Sequence, residues 1–181
     1  MENKTVLKAR NVRLIITDVD GVWTDGKLYY MPGVEGHMKA FHVRDGLAVK
    51  LAEMAGLVIA VISGKPSAVL RERCSELGIS RCWDGIHNKL EVATRLISRL
   101  GVTMAETAMI GDDLLDLPLL QKAGFSATVA DAPKDIRNAV DYVSSFAGGT
   151  GAFRDIVEFI IRSQDRWEGV LAELGGNDGL S

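Results

Sequence analysis

Hydrophobic residues in this chain gather in short blocks, and two blocks, 14–17 and 57–62, are apolar or β-branched throughout. Such runs lack the alternation of a half-exposed strand, so they predict strands buried on both faces. Leu47, Ala48 and Leu51 recur at helical spacing between them, in a helix that Asp45 is placed to cap. The predicted strands are 12–17, 57–62, 81–83, 107–110, 125–129 and 142–143. Strands that alternate with helices in this way predict an α/β domain with a doubly wound parallel sheet.

Polar side chains stand directly after several of these strands. Asp18 and Asp20 follow the first strand, Ser63 follows the second, and Asp112 follows the strand at 107–110. Lys89 begins a helix, where a cation is unfavourable beside the helix dipole. In open α/β sheets, ligands bind at the carboxyl ends of the strands. If the first strand lies beside strand 107–110, Asp112 faces Asp18 and Asp20.

Three converging carboxylates require a positive charge between them, since like charges resist desolvation. Hard oxygen ligands in small number suit Mg²⁺, which predicts a magnesium site formed by Asp18, Asp20 and Asp112. Asp113 and Asp116 are expected behind these ligands, orienting them or capping the next helix. Ser63 and Gly64 at a helix N-terminus, with Lys65 beside them, predict an anion site.

Residues 27–42 predict a β-hairpin inserted after the first strand, with extended arms at 27–30 and 37–42 and a turn at 31–36. A lone two-stranded hairpin is marginally stable in water. Its aromatic side chains and open edges therefore predict packing against other subunits. The alternative is a flap folded onto its own domain.

Composition narrows the class of protein. The 181 residues suffice for one domain, expected over 1–174, with a disordered tail at 175–181. A formal net charge of −3 does not suggest binding to nucleic acid or to an acidic membrane surface. No apolar run approaches the roughly 20 residues that span a bilayer. Without a secretory h-region, and with Cys74 and Cys82 in no metal-binding spacing, a reducing cytoplasm is expected.

The motifs resemble those of the haloacid dehalogenase-like (HAD) phosphatase superfamily, in order and in chemistry. The first motif is Asp-x-Asp-Gly at 18–21, the second is Ser63-Gly64, and the third is Lys89 opening a helix. The fourth is the acidic pair that begins with Asp112. The resemblance extends over about 12–162, and it implies a Rossmann-like core with Mg²⁺ as cofactor.

A narrower resemblance joins 18–26, 39–46, 88–90 and 148–154 to the 3-deoxy-D-manno-octulosonate 8-phosphate phosphatases, a branch of that superfamily. It implies no cap domain, a homotetramer whose hairpins meet centrally, a phosphorylated sugar acid as substrate, and a place in lipopolysaccharide biosynthesis. Thr150 and Lys65 depart from the pattern of that branch, which usually has a basic residue and an arginine there. Phosphatases of nine-carbon sialic acid-type 9-phosphates share the scaffold, so that substrate class stays an alternative.

The resemblance also implies a division of roles. Asp18 is the nucleophile that forms an aspartyl-phosphate, and Asp20 is the general acid and base. Ser63 and Lys89 hold the transferring phosphoryl group. The metal is held by the carboxylates of Asp18 and Asp112 and by the Asp20 main-chain carbonyl. The expected substrate contacts are Thr24, Arg44, Gly64 and Lys65.

Other classes of protein use parts of this pattern. A receiver domain also clusters Asp, Ser or Thr, and Lys around Mg²⁺, but its phosphorylated Asp and its acidic pair lie on different strands. A phosphomutase usually needs a cap that excludes water, and the chain has no insertion of sufficient length. A catalytically silent subunit is the third alternative, although every motif residue is present.

Overall fold

The computed structural model describes residues 4–30, 32–33 and 37–176. The strands are β1 (Leu14–Thr17), β2 (Val58–Ile62), β3 (Cys82–Trp83), β4 (Thr107–Ile110), β5 (Phe125–Thr128) and β6 (Tyr142–Val143). The helices are α1 (Lys4–Arg10), α2 (Val43–Met54), α3 (Ala68–Glu76), α4 (Lys89–Leu100), α5 (Leu117–Leu120), α6 (Lys134–Ala139), α7 (Ala152–Ser163) and α8 (Trp167–Gly176).

The six strands form one parallel sheet in the order β3-β2-β1-β4-β5-β6. Strand β1 lies at its centre, where Thr17 is in register with Val61 of β2 and with Ile110 of β4. The predicted neighbourhood of the first strand and strand 107–110 is therefore confirmed. Because all three strands run in the same direction, the residues that follow them emerge at one edge of the sheet.

The core lies on both sides of the central strands. Every residue of β1, β4 and β5 is buried, as expected for strands covered on two faces. Helices α1, α2 and α7 pack together, while α5 contacts α4 and α6. Trp23, in the turn after β1, packs against Phe153 of α7 with ring centroids 5.0 Å apart. This contact anchors the turn that carries the Asp-x-Asp motif to the body of the domain.

The predicted hairpin is reduced to a single antiparallel bridge in the part of the chain that the structure describes. Tyr29 pairs with Met38, whose N–H donates to the Tyr29 carbonyl at 3.0 Å. The extended arms therefore do not form regular strands, and most of the predicted turn, 31 and 34–36, lies outside the described residues. The described residues between β1 and α2 contain no helix or strand, which agrees with the absence of a cap domain.

Two helix boundaries differ from the expectation. Helix α2 begins at Val43, because the His42 side chain caps it by accepting from the Arg44 N–H at 3.2 Å. Asp45, expected as that cap, is buried and accepts from the Arg154 N–H of α7 at 2.9 Å instead. The predicted tail from residue 175 is wrong at its start, because α8 continues through Gly176, and 177–181 lie outside the described residues.

The described helices include none whose length and apolar character would let it cross a bilayer. Both cysteines are free; Cys74 is buried, and Cys82 on the edge strand β3 is half-buried.

Candidate active site

Three carboxylates converge at the carboxyl edge of the sheet. Asp18 follows β1, Asp112 follows β4, and Asp116 precedes the short helix α5. One oxygen from each of the three lies within 4.8 Å of the others. The convergence follows from the adjacency of β1 and β4, which brings two turns distant in sequence to one point.

Lys89 lies beside these carboxylates and is almost completely buried. Its Nζ is 2.6 Å from Asp116 Oδ1 and 2.8 Å from Asp18 Oδ1. Asn88 caps α4 by accepting from the Glu91 N–H, so Lys89 is the first residue of the helix. A buried ammonium at a helix N-terminus is unfavourable by itself, and its two carboxylate partners compensate for that position.

Burial and mutual repulsion perturb the acids of this cluster. Desolvation, followed by the charge of Asp116, raises the pKa of Asp18 to about 6. Desolvation, followed by the charge of Asp18, raises the pKa of Asp112 to about 8. Burial by itself would lower the pKa of Lys89, but the two carboxylates raise it above its ordinary value. Without a metal, Asp18 and Asp112 therefore keep their protons to higher pH than an ordinary carboxyl group, because Lys89 alone does not offset burial and repulsion.

The donor set fits a magnesium ion. Oδ1 of Asp112 is buried without a hydrogen-bond donor, whereas Oδ1 of Asp18 is 2.8 Å from the Lys89 ammonium group in an ion pair. Both oxygens of Asp116 are engaged, Oδ1 by Lys89 and Oδ2 by the N–H groups of Asp112 and Asp113 at 3.1 and 3.3 Å. Oxygens without donors are available to a hard cation. Asp18 and Asp112 are thus the ligands that the geometry favours, and Asp116 orients the groups around them.

Two glycines permit this close packing. Gly21 has φ +89°, and a Cβ there would lie 2.6 Å from Asp112 Cγ. A Cβ on Gly111 would lie 2.5 Å from Asp116 Cγ. Both distances are below the range of real side-chain contacts, so the carboxylates occupy space that only glycine leaves free.

Asp20 lies apart from the three carboxylates. Its partner is Lys39, for which the sequence predicts no role. Its Oδ1 is 2.6 Å from Nζ of Lys39, whose side chain is 0% exposed. The signal in the sequence was a single lysine within the otherwise apolar stretch 38–41. That pattern does not reveal which way the lysine side chain turns.

The predicted anion site lies beside the carboxylates. Ser63 is held by its N–H, which donates to the Trp83 carbonyl at 2.8 Å, and its buried Oγ has no partner among the described residues. Gly64 and Lys65 line a cavity of about 270 Å³, together with Asp18, Asp20, Gly26, Lys89, Asp112, Asp113, Leu115 and Asp116. Asp113 is exposed at the rim, where its Oδ1 accepts from the Leu114 N–H.

Two of the expected substrate contacts are not brought to this cavity by the chain itself. The hydroxyl of Thr24 is buried and accepts from the N–H groups of Gly21 and Gly26 at 3.4 and 3.2 Å, so it shapes the turn. Arg44 lines a separate cavity of about 480 Å³ with Thr150 and Arg154. Neither position follows from sequence, because both depend on how the turn and α2 are packed.

Comparisons with known proteins bear on this site. A family model described as haloacid dehalogenase-like hydrolase matches residues 84–152. The chain is similar to 3-deoxy-D-manno-octulosonate 8-phosphate phosphatase of Haemophilus influenzae, with 45% identity over 159 residues and 88% of each chain covered.

Two crystal structures share the fold. One is the enzyme of that name from Moraxella catarrhalis in complex with magnesium ion, phosphate ion and 3-deoxy-D-manno-octulosonate (KDO), with a TM-score of 0.90 and 35% identity. That alignment covers 96% of this chain and 99% of the other. The cobalt-bound form of the Haemophilus influenzae enzyme has a TM-score of 0.84 and 45% identity, with coverage of 88% and 92%.

Proposed function

The chain belongs to the 3-deoxy-D-manno-octulosonate 8-phosphate phosphatase family of haloacid dehalogenase-like hydrolases, and from that premise we propose its reaction. It hydrolyses 3-deoxy-D-manno-octulosonate 8-phosphate to the free sugar acid and phosphate, with Mg²⁺ as cofactor. The observation that carries the proposal is the buried Asp18 carboxylate. It lies beside Asp112, and its Oδ1 forms an ion pair with Lys89 at 2.8 Å.

Asp18 is the nucleophile in this proposal. One of its carboxylate oxygens attacks phosphorus, the bond to the sugar oxygen breaks, and a covalent aspartyl-phosphate divides one difficult step into two. Asp18 and Asp112 would hold Mg²⁺, which would supply Lewis-acid neutralisation of the phosphoryl charge. Lys89 keeps Asp18 in place through its ion pair. In this proposal Ser63, whose buried hydroxyl has no partner among the described residues, donates to a phosphoryl oxygen.

Asp20 performs the proton transfers. Its carboxyl group donates to the departing sugar oxygen and then accepts a proton from the water that hydrolyses the aspartyl-phosphate. Such catalysis typically contributes about 10²–10⁴-fold. The carbonyl of Asp20 remains our proposed main-chain ligand for the metal. Gly64 and Lys65 line the cavity at a place suited to the substrate phosphate.

A single chain does not enclose a sugar-acid phosphate. The cavity of about 270 Å³ is at the small end for a ligand of this size, and no cap covers it within the described residues. Tyr29, Tyr30 and Met38 of the hairpin segment are exposed. These features support a homotetramer in which hairpin segments pack together and a neighbour completes each site. Arg44 and Thr24 then need not reach the substrate within their own chain.

The setting that fits this function is the cytoplasm, where free thiols such as Cys74 and Cys82 stay reduced. The product sugar acid would enter lipopolysaccharide biosynthesis. No observation on the chain favours nucleic acid or a membrane as a partner.

A panel of phosphates tests the proposal. Phosphate release is measured with and without Mg²⁺ on the eight-carbon 8-phosphate and on nine-carbon sialic acid-type 9-phosphates side by side. We expect the highest kcat/KM for the eight-carbon substrate and loss of turnover in Asp18→Asn. Preference for a nine-carbon substrate would move the assignment to that class, and full turnover by Asp18→Asn would remove the nucleophile. Sedimentation tests the tetramer, since a monomer of about 20 kDa at micromolar concentration would refute it.

A further inference from the structure

Lys39 reaches the second acid of the Asp-x-Asp motif from outside the sheet. Its Nζ is 2.6 Å from Asp20 Oδ1, and its side chain is 0% exposed, whereas the Asp20 side chain is 23% exposed. The neighbouring Met38 and Ala40 are exposed, so Lys39 alone of these three turns inward. The hairpin segment therefore contributes one side chain to the catalytic edge of the sheet.

Full burial of a lysine side chain is unfavourable unless its ammonium group is paired. Within the described part of the chain, Asp20 is the carboxylate that forms an ion pair with Lys39, and Lys39 is the cation paired with Asp20. The bridge between Tyr29 and Met38 fixes the backbone next to the lysine. A buried one-to-one pair on a fixed backbone restricts the rotation of the Asp20 carboxylate.

The two acids of the motif are thus held by different lysines. Lys89, on the core helix α4, holds Asp18 and Asp116, while Lys39, on the hairpin segment, holds Asp20. This division keeps the nucleophile and the proton-transfer group apart. Orientation of a reacting group within a narrow range is a large part of what an enzyme site supplies.

Resting on the proposed function, we propose that Lys39 is a positioning residue for proton transfer by Asp20. Asp20 Oδ1 stays with Lys39, and Oδ2 carries the proton. As the Asp18 oxygen bonds to phosphorus and the bond to the sugar oxygen breaks, that proton passes to the departing oxygen. Lys39 keeps its own proton throughout.

The test compares two leaving groups. A sugar or other primary-alcohol phosphate needs a proton on its departing oxygen, whereas 4-nitrophenolate leaves without one. We expect Lys39→Met to lower kcat/KM about 10- to 100-fold for the alkyl phosphate and less than about threefold for 4-nitrophenyl phosphate. Lys39→Arg should recover part of the alkyl activity. The matched control is Lys27→Met, at an exposed lysine of the same segment that pairs with Asp25. It should leave kcat/KM unchanged for both substrates.

The ratio kcat/KM reports on the steps up to release of the alcohol. Hydrolysis of the aspartyl-phosphate by water, which is common to both substrates, comes later and does not affect it. Equal losses on the two substrates would overturn the proposal, since a structural or phosphate-binding role of Lys39 does not depend on the leaving group. Unchanged rates on both would overturn it as well. The rise in Tm on adding Mg²⁺ should persist in Lys39→Met and shows that the site is folded. Failure of the proposed function itself is distinguishable, because wild-type protein would then hydrolyse neither substrate or Asp18→Asn would stay active.

Discussion

Replacing Asp112 by asparagine should stabilise the protein without metal and abolish its stabilisation by magnesium. The pKa of Asp112 rises from 3.8 to about 8 in the folded state, first because of desolvation and then because of the charge of Asp18. An acid whose pKa is raised by folding contributes most to stability below its unfolded pKa. That contribution is lost as pH rises through the folded pKa. The metal-free wild type should therefore lose stability between about pH 4 and pH 8. Asp112→Asn lacks this charge and should lose less stability, the remainder coming from Asp18, whose pKa is raised to about 6.

The magnitude follows from the shift. Each pKa unit corresponds to about 1.4 kcal/mol, so a shift of this size corresponds to on the order of several kcal/mol, reduced by coupling to Asp18. For a chain of this length, about 1 kcal/mol moves Tm by roughly 2–4 °C. We expect metal-free Asp112→Asn to melt roughly 5–10 °C above wild type at pH 8 and close to it at pH 4. Removing a repulsive functional charge commonly stabilises an enzyme.

Magnesium should reverse the order of the Tm values of wild type and Asp112→Asn. At about 100 times its dissociation constant, a ligand that binds only the folded state adds about 2.7 kcal/mol, which raises the wild-type Tm by roughly 5–11 °C. Asp112→Asn should gain little. The measurement is thermal unfolding across pH 4–8 with EDTA or Mg²⁺, and Asp113→Asn is the control, because Asp113 is exposed at the rim. A metal-free Asp112→Asn less stable than wild type at pH 8, or one that gains as much from Mg²⁺, would refute the reasoning.

Three further changes have defined outcomes. Gly21→Ala should weaken Mg²⁺ binding at least about 10-fold by calorimetry, because its Cβ would collide with Asp112. The control is Gly78→Ala, where φ is also left-handed but the space is open. It should lower the free energy of unfolding by only about 1 kcal/mol. Equal Mg²⁺ affinities in the two variants would contradict this. Asp45→Ala removes an acceptor of the Arg154 N–H and should lower Tm by roughly 2–4 °C, with Asp45→Asn closer to wild type. An unchanged Tm in Asp45→Ala would show that this hydrogen bond does not stabilise the fold. Ser63→Ala should lower kcat/KM about 10²-fold at unchanged Tm, since its hydroxyl has no partner to lose. A large drop in Tm would assign Ser63 a structural role.

The order of residues along the chain is enough to predict the buried strands and the polar residues that follow them. Buried strands such as 14–17 have a local signature, because a strand covered on both faces contains almost no polar position. The predicted pairing of β1 with β4 then implied that Asp18 and Asp112 converge. Where neighbouring parallel strands carry polar residues at their carboxyl ends, the amino-acid sequence is enough to locate the site.

The partner that each polar side chain meets depends instead on how the chain packs in three dimensions. Asp45 accepts from Arg154 of α7 rather than capping its own helix, and Arg44 faces a different cavity from Asp18. Lys39 turns inward to Asp20, whereas its neighbours Met38 and Ala40 are exposed. These outcomes depend on the packing of segments far apart in the chain and on rotamers selected by burial and charge. Hydrophobic periodicity shows which face of an element is buried, but it carries no information on the atom that a long polar side chain will reach.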